Sequence, residues 1–246
     1  MTSTSTEPLP SVATVAKMID HSLLRPELTV ADVDSGLEIA SRYGTASVCV
    51  RPADVSAATA ALSDSDVLVG TVVGFPHGSS TTDIKVRETA ELVARGAEEF
   101  DMVINIGRLR SGDVAYVRDE IGAVVSAAEA HPVKVIFENA YLDHAQKVAG
   151  YRAAADAGAA FIKTSTGFAP SGATAQDIAL MRATVPPKIG VKAAGGVRTL
   201  DSLLELHELG ATRFGATATA AILDELADRL GGSPPRPTVA DRPPGY

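Results

Sequence analysis

The chain has 246 residues, 46% hydrophobic and 4% aromatic, with no Trp, so the core of a single large domain would consist mainly of Ala, Val, Ile and Leu. Its net charge of −8 argues against nucleic acid or an anionic membrane as the main partner, because both are negative. Cys49 is the only cysteine, which excludes an intrachain disulfide and suits a reducing cytoplasm. Residues 1–11 resemble no signal peptide, and no stretch reaches the ~18 apolar residues of a membrane span. We expect a cytoplasmic protein.

Short apolar runs recur along the chain and end in Gly, Pro, Ser or Thr, as strands of a buried parallel sheet do. They predict strands at residues 19–21, 46–50, 67–74, 99–105, 133–138, 159–163, 188–193 and 212–215. Intervening segments predict helices at 12–18, 30–43 with Thr29 as N-cap, 53–62, 81 or 82 to 95, 108 to about 130, 142–157, 174–183, 200–209 and 217–230.

Eight alternating strands and helices in about 250 residues are typical of a (β/α)8 TIM barrel. We predict one α/β domain of this fold over residues 12–230, whose short first helix closes the bottom of the barrel. A disordered segment, 1–11, would precede it, and a flexible Pro-rich tail, 231–246, would follow. A doubly wound open sheet is the alternative, but no G-x-G-x-x-G follows an early strand.

Lys163 stands where the sixth predicted strand ends in Thr-Ser-Thr-Gly. A single lysine at such a place is usually ion-paired or reaches solvent. Lys192 ends the next strand in the same way, before Ala-Ala-Gly-Gly. Two ammonium groups ~5 Å apart repel by roughly 3 kcal/mol, or about two pK units, and burial adds to this. Lys163 is therefore a candidate for a neutral amine that forms a Schiff base.

Other polar residues at predicted strand ends are Asp20, Cys49, Asp101 or Asn105, and Glu138. In a TIM barrel these ends form the active site. Asp101 is either an acid/base group or a structural ion-pair partner of a lysine. Asp20 would support a lysine, and Cys49 is best interpreted as a small buried strand residue.

Glycine-rich loops follow the last three strands. The candidates for phosphate binding there are Thr166, Gly167, Gly195, Gly196, Gly215 and Thr217. Arg198 would add a positive charge, or would form an ordinary surface salt bridge. The five histidines show no H-x-x-x-H spacing, so we expect no metal and no cofactor.

Several longer motifs occur in a fixed order: IDHSLLRP (19–26), SVCVRP (47–52), VGFPHG (73–78), DMVINIG (101–107), FIKTSTGF (161–168) and VKAAGGVR (191–198). In these segments the chain resembles the deoxyribose-phosphate aldolase family of class I aldolases. The resemblance runs from about Met18 to Ile222.

The resemblance implies reversible cleavage of 2-deoxy-D-ribose 5-phosphate to acetaldehyde and D-glyceraldehyde 3-phosphate. It implies that Lys163 forms the Schiff base, that Asp101 moves protons, that Lys192 lowers the pKa of Lys163 and that Asp20 supports this network. A small phosphorylated sugar would be the ligand, and a homo-oligomer, a dimer or larger, is expected.

The chain departs from the family pattern at two places. Thr217-Ala218 replaces a pair of serines, which predicts weaker phosphate binding. The fifth strand ends in Glu138-Asn139 instead of Glu-Thr. Tyr246 ends the chain, as a tyrosine does in some relatives, and either aids proton transfer or plays no part.

Two other functions remain as alternatives. A different lysine aldolase of the same fold is one, although such enzymes carry the lysine on other strands. A phosphate-binding barrel that has lost catalysis is the other, and the joint presence of Lys163, Asp101 and Lys192 speaks against it.

Overall fold

The structure, a computed structural model, describes residues 9–231. Eight parallel strands pair in sequence order and the last pairs with the first, so the sheet closes into a barrel. The strands are β1 (Ile19–Leu23), β2 (Ser47–Val50), β3 (Leu68–Val73), β4 (Glu99–Val103), β5 (Val133–Ile136), β6 (Phe161–Lys163), β7 (Gly190–Ala194) and β8 (Arg213–Ala216). The predicted (β/α)8 barrel is confirmed, and the open sheet is wrong. The predictions for residues 1–8 and 232–246, including Tyr246, lie outside the described residues.

Helices alternate with the strands around the barrel. They are α1 (Val12–Ala16), α2 (Val30–Tyr43), α3 (Val55–Ala61), α4 (Thr82–Ala94), α5 (Ile106–Arg110), α6 (Val114–Ala127), α7 (His144–Asp156), α8 (Ala175–Thr184), α9 (Leu200–Glu208) and α10 (Thr219–Arg229). Thr29 caps α2 as predicted, since its hydroxyl accepts the Asp32 N–H at 3.3 Å. Of the helices in residues 9–231, none combines the length and apolar character that crossing a bilayer requires.

The segment after β4 differs from the single helix that the sequence predicts. It forms two helices, α5 and α6, because Gly112 adopts a φ of 81° and interrupts the helical backbone. Asp113 then accepts the Tyr116 N–H at 3.3 Å and begins α6. Similarly, α7 begins at His144, two residues later than predicted, because Asp143 caps it by accepting the Gln146 N–H at 2.9 Å.

Side chains on the strands alternate between the outer hydrophobic core and the barrel interior. On β4, Phe100 and Met102 are fully buried in the hydrophobic core. Glu99 and Asp101, which alternate with them, face inward and contact buried lysines. The interior of this barrel therefore carries charge, and the apolar core lies between the sheet and the helices.

Candidate active site

Lys163 and Lys192 lie side by side on neighbouring strands. The sheet register pairs Lys163, the last residue of β6, directly with Lys192 of β7. Each Nζ lies 2.6 Å from the same atom, Oδ2 of Asp101. The two nitrogens are therefore no farther apart than twice that distance, which agrees with the ~5 Å separation that gives about two pK units of repulsion.

The pKa of Lys163 is lowered from the usual value of a lysine. Burial is the largest cause, since the residue is only 3% exposed, and repulsion by Lys192 lowers the pKa further. The negative charge of Asp101 opposes both effects. The sequence argument gave a magnitude only for the repulsion, whereas in the structure burial has the larger effect on this pKa. A lowered pKa increases the fraction of neutral amine, which is the nucleophilic form.

The pKa of Lys192 shifts in the opposite direction. Burial alone would lower it, but Asp101 and Asp20 together raise it. The Nζ of Lys192 lies 2.5 Å from Oδ2 of Asp20 and 2.6 Å from Oδ2 of Asp101. The pKa values of two lysines at paired strand positions thus shift in opposite directions, because Lys192 contacts Asp20 in addition to Asp101.

Asp101 is the carboxylate that joins the two lysines. Burial would raise its pKa, but attraction to Lys134, Lys163 and Lys192 outweighs burial and holds the pKa well below its usual range. Asp101 is therefore an ion-pair partner of Lys163 and also lies within proton-transfer distance of it. The alternative residue, Asn105, instead caps α5, where its Oδ1 accepts the Arg108 N–H at 3.2 Å.

Three further charged residues of this network were missed by the sequence analysis: Glu99, Lys134 and Arg213. Lys134 Nζ lies 2.6 Å from Glu99 and 3.2 Å from Asp20. It also lies 3.3 Å from Asp101. Arg213 binds Asp20 at 2.5 Å and Glu99 at 3.1 Å. The available signal was a charged residue between apolar neighbours within a predicted strand, as in Val133-Lys134-Val135.

These ion pairs define an interior charge cluster. Its members are Asp20, Glu99, Asp101, Lys134, Lys163, Lys192 and Arg213. Three carboxylates are balanced by Lys134, Lys192 and Arg213, so the formal charges cancel when Lys163 is neutral. An excess charge in a buried site is costly. This balance favours the neutral amine of Lys163, in agreement with its lowered pKa.

A pocket at the C-terminal ends of the strands opens directly onto Lys163, Lys192 and Asp20. Asp101 is not part of its surface and lies behind Lys163. The structure also brings every predicted phosphate-binding residue to this pocket. They are Thr166, Gly167, Gly195, Gly196, Arg198, Gly215 and Thr217.

The loops of this pocket present backbone N–H groups that no other described residue accepts. These groups belong to Gly167, Gly195, Gly196 and Thr217. The three glycines have φ between 79° and 88°, a conformation that other residues rarely adopt. Beside them, Ala218 is the N-cap residue of α10 and supplies no side-chain cap. Unpaired N–H groups at a helix N-terminus form a binding site for an anion.

Other strand-end candidates have structural contacts. Cys49 lines the pocket but is 3% exposed, and burial together with Asp101 raises its pKa to about 11. The amide oxygen of Asn139 accepts the Tyr151 hydroxyl at 2.9 Å, which explains a residue that the sequence left unassigned. Glu138 contacts Thr166 behind the pocket. In residues 9–231, no group of three or more His, Cys, Asp or Glu side chains is arranged to hold a metal ion.

Comparison with known proteins identifies one consistent group. A family model described as DeoC/LacD family aldolase matches residues 14–223. The chain is 47% identical over 218 residues to the deoxyribose-phosphate aldolase of Caldanaerobacter subterraneus subsp. tengcongensis, covering 87% of this chain and 94% of the relative. It is 50% identical over 210 residues to deoxyribose-phosphate aldolase 1 of Staphylococcus aureus, covering 85% and 96%. The tetrameric deoxyribose phosphate aldolase of Aeropyrum pernix superimposes with a TM-score of 0.83 at 27% identity, over 90% of this chain and 94% of that one.

Proposed function

Because the chain belongs to the DeoC/LacD family of aldolases, we propose that it reversibly cleaves 2-deoxy-D-ribose 5-phosphate to acetaldehyde and D-glyceraldehyde 3-phosphate. The observation that carries the proposal is Lys163, a buried lysine of lowered pKa at the base of a pocket, in contact with Asp101. The reaction belongs to the class that uses a lysine Schiff base and needs no metal.

In this proposal Lys163 is the nucleophile. Its neutral amine attacks the C1 aldehyde of the open-chain sugar, and loss of water from the carbinolamine gives a protonated Schiff base. The C3 hydroxyl then loses its proton and the C2–C3 bond breaks, so C3 becomes the aldehyde of glyceraldehyde 3-phosphate. The electron pair of that bond moves into an enamine at C1–C2. Protonation at C2 and hydrolysis release acetaldehyde and restore the amine.

Asp101 and Lys192 are the proton-handling groups in this scheme. Asp101 contacts both lysine nitrogens at 2.6 Å, so one carboxylate can exchange a proton with the amine of Lys163 and also pair with the ammonium of Lys192. It moves protons on and off the carbinolamine, while Lys192, held as a cation, limits protonation of Lys163. Asp20 supports Lys192 through its 2.5 Å ion pair.

The substrate phosphate binds, in this proposal, at the N–H groups of Gly167, Gly195, Gly196 and Thr217, which have no partner within residues 9–231. Thr166, Gly215 and Arg198 complete the same wall of the pocket. Ala218 offers no hydroxyl at a position where the resemblance to the family implies a serine. Restoring it in Ala218→Ser should lower the KM for the phosphorylated sugar about threefold, which corresponds to part of one hydrogen bond.

The decisive experiment traps the Schiff base with borohydride in the presence of acetaldehyde and locates the adduct by peptide mass spectrometry. We expect one adduct, on Lys163, that is absent in Lys163→Ala. The exposed Lys188 gives the matched control, Lys188→Ala, which should retain the adduct. No adduct, or adducts spread over surface lysines, would reject the proposal and leave a phosphate-binding barrel without catalysis.

Two further proposals concern the cellular location and the oligomeric state of the protein. We propose a cytoplasmic location, supported by the single, buried Cys49. We also propose a homo-oligomer, supported by the tetrameric structure of the Aeropyrum pernix relative. Analytical ultracentrifugation of the purified chain tests the second proposal, and a monomer at micromolar concentration would reject it.

A further inference from the structure

The buried carboxylate of Glu138 forms hydrogen bonds with the loop that contains Thr166, on the side of the loop away from the pocket. The side chain is 2% exposed, and its two carboxylate oxygens accept the Thr166 N–H at 3.4 and 3.3 Å. The Thr166 hydroxyl donates to the same carboxylate in a short hydrogen bond. That hydroxyl oxygen in turn accepts the Phe168 N–H at 3.0 Å. One carboxylate thus organises three consecutive residues of the loop.

The backbone of Glu138 is held in an unfavourable conformation. Its φ of 43° and ψ of 66° lie in the left-handed region, which among described non-glycine residues only Glu129 shares. The neighbours fix this conformation, because Phe137 N–H donates to Lys163 O at 3.1 Å and Asn139 N–H donates to Thr164 O at 3.0 Å. Strain of this kind persists where the surroundings impose it, and it is frequent at functional sites.

The backbone N–H groups of residues 166–168 fall into two sets: some are hydrogen-bonded within the protein, and one is available to the pocket. The N–H groups of Thr166 and Phe168 are taken up by hydrogen bonds within the loop and to Glu138. The N–H of Gly167, between them, has no partner among the described residues, and Gly167 lines the pocket. Glu138 itself is not part of the pocket surface, so its negative charge is separated from the pocket by Thr166.

We infer that Glu138 is a positioning residue that fixes the Thr166–Phe168 loop so that the Gly167 N–H faces the phosphate of the substrate. The inference rests on the proposed function, because it assigns Gly167 to the phosphate. In this inference Glu138, which lies outside the pocket, affects the affinity for phosphate without touching the substrate. Loss of Glu138 therefore weakens binding of phosphorylated ligands and leaves Schiff-base formation with acetaldehyde intact.

The test uses Glu138→Gly, because glycine adopts the left-handed backbone conformation without strain while the carboxylate is lost. Glu129→Gly is the matched control, since Glu129 is exposed, has a φ of 57° and lies at the end of α6. A third variant, Glu138→Gln, keeps the size and one acceptor for the Thr166 hydroxyl. Circular dichroism melting of all three variants checks that each one is folded.

We expect Glu138→Gly to raise the KM for deoxyribose 5-phosphate about tenfold, since a hydrogen bond to a charged group is lost. The rate of borohydride trapping of acetaldehyde on Lys163 should change less than about twofold. Glu138→Gln should show an intermediate KM, and Glu129→Gly should match the parent protein. An unchanged KM, or a fall in trapping as large as the loss in kcat/KM, would overturn the inference.

Calorimetric titration with inorganic phosphate gives the same comparison without turnover. Weaker phosphate binding in Glu138→Gly than in Glu129→Gly supports the inference, and equal binding rejects it. If the parent protein binds phosphate but cleaves no deoxyribose 5-phosphate, the proposed reaction fails while the role of Glu138 is still decided.

Discussion

Lys163 and Lys192 meet at a single atom, Oδ2 of Asp101, which lies 2.6 Å from the Nζ of each. The shared oxygen couples the protonation of the two side chains, because any proton added to one lysine raises the electrostatic cost of a proton on the other. Burial makes this coupling strong, since both lysines are at most 3% exposed. The protonation of Lys163 therefore depends on that of Lys192.

Lys192→Met should raise the pKa of Lys163. The substitution removes a repelling cation and leaves Asp101 and Asp20 with one cation fewer, and both effects favour the ammonium form. A rise of one unit lowers the neutral fraction about tenfold at neutral pH. The pH dependence of borohydride trapping with acetaldehyde should therefore move to higher pH. Lys192→Arg, which keeps the charge, should move it much less, and a shift to lower pH would contradict the argument.

Asp101→Asn should separate proton transfer from Schiff-base formation. The amide of asparagine cannot accept or release a proton as the carboxylate does. We therefore expect kcat to fall about 10²- to 10⁴-fold. The carboxylate opposes the lowered pKa of Lys163, so the amine stays nucleophilic without it. The acetaldehyde adduct should therefore still form, but more slowly, because the carbinolamine loses its proton-transfer group. Deuterium exchange into the methyl group of acetaldehyde, followed by NMR, measures the proton transfer. Exposed Asp201→Asn is the control, and wild-type exchange in Asp101→Asn would be inconsistent with its proposed role.

Lys134→Met should destabilise the fold strongly. Lys134 is 1% exposed and contacts three buried carboxylates, those of Glu99, Asp20 and Asp101, so its loss leaves them with one cation fewer. Removal of one member of a buried ion pair costs about 3–5 kcal/mol. Urea denaturation measures the change. Lys17→Met is the control, because the Lys17–Asp66 pair is exposed and should contribute at most about 1 kcal/mol; equal effects of the two variants would refute the distinction.

His21 should make the protein less stable in mild acid. Burial lowers its pKa to about 4 from the ordinary value of 6.5, and its Nδ1 lies 2.8 Å from the Thr219 hydroxyl at the start of α10. Between these two values the unfolded chain binds a proton that the folded chain does not, so stability falls as pH decreases from 6.5 to 4. The expected contribution is about 3 kcal/mol.

His21→Asn supplies the measurement for that prediction. Asparagine keeps a polar atom for Thr219 but does not titrate. Urea denaturation of both proteins at several pH values between 4 and 7 should show a weaker pH dependence for the variant. Parallel pH profiles for the two proteins would show that His21 does not carry the effect.

The sequence by itself determined the number and order of the strands and the place of the main candidates along them. Apolar runs ending in glycine and threonine predicted β6 and β7, and so placed Lys163 and Lys192 at neighbouring strand ends. Local signals of this kind are enough because strand and turn chemistry depend on nearby residues. The division of the segment after β4 into two helices was not predicted, since it depends on the conformation of a single glycine, Gly112.

Only the tertiary structure decided which charges meet. Lys134 and Arg213 lie within strands, and their partners Asp20 and Glu99 come from strands that are distant in the sequence. Closure of the barrel brings these strands around one narrow interior, where a low dielectric makes each contact strong. The lowered pKa of Lys163 follows from its burial and from that whole set of charges, and neither is a local property of the sequence.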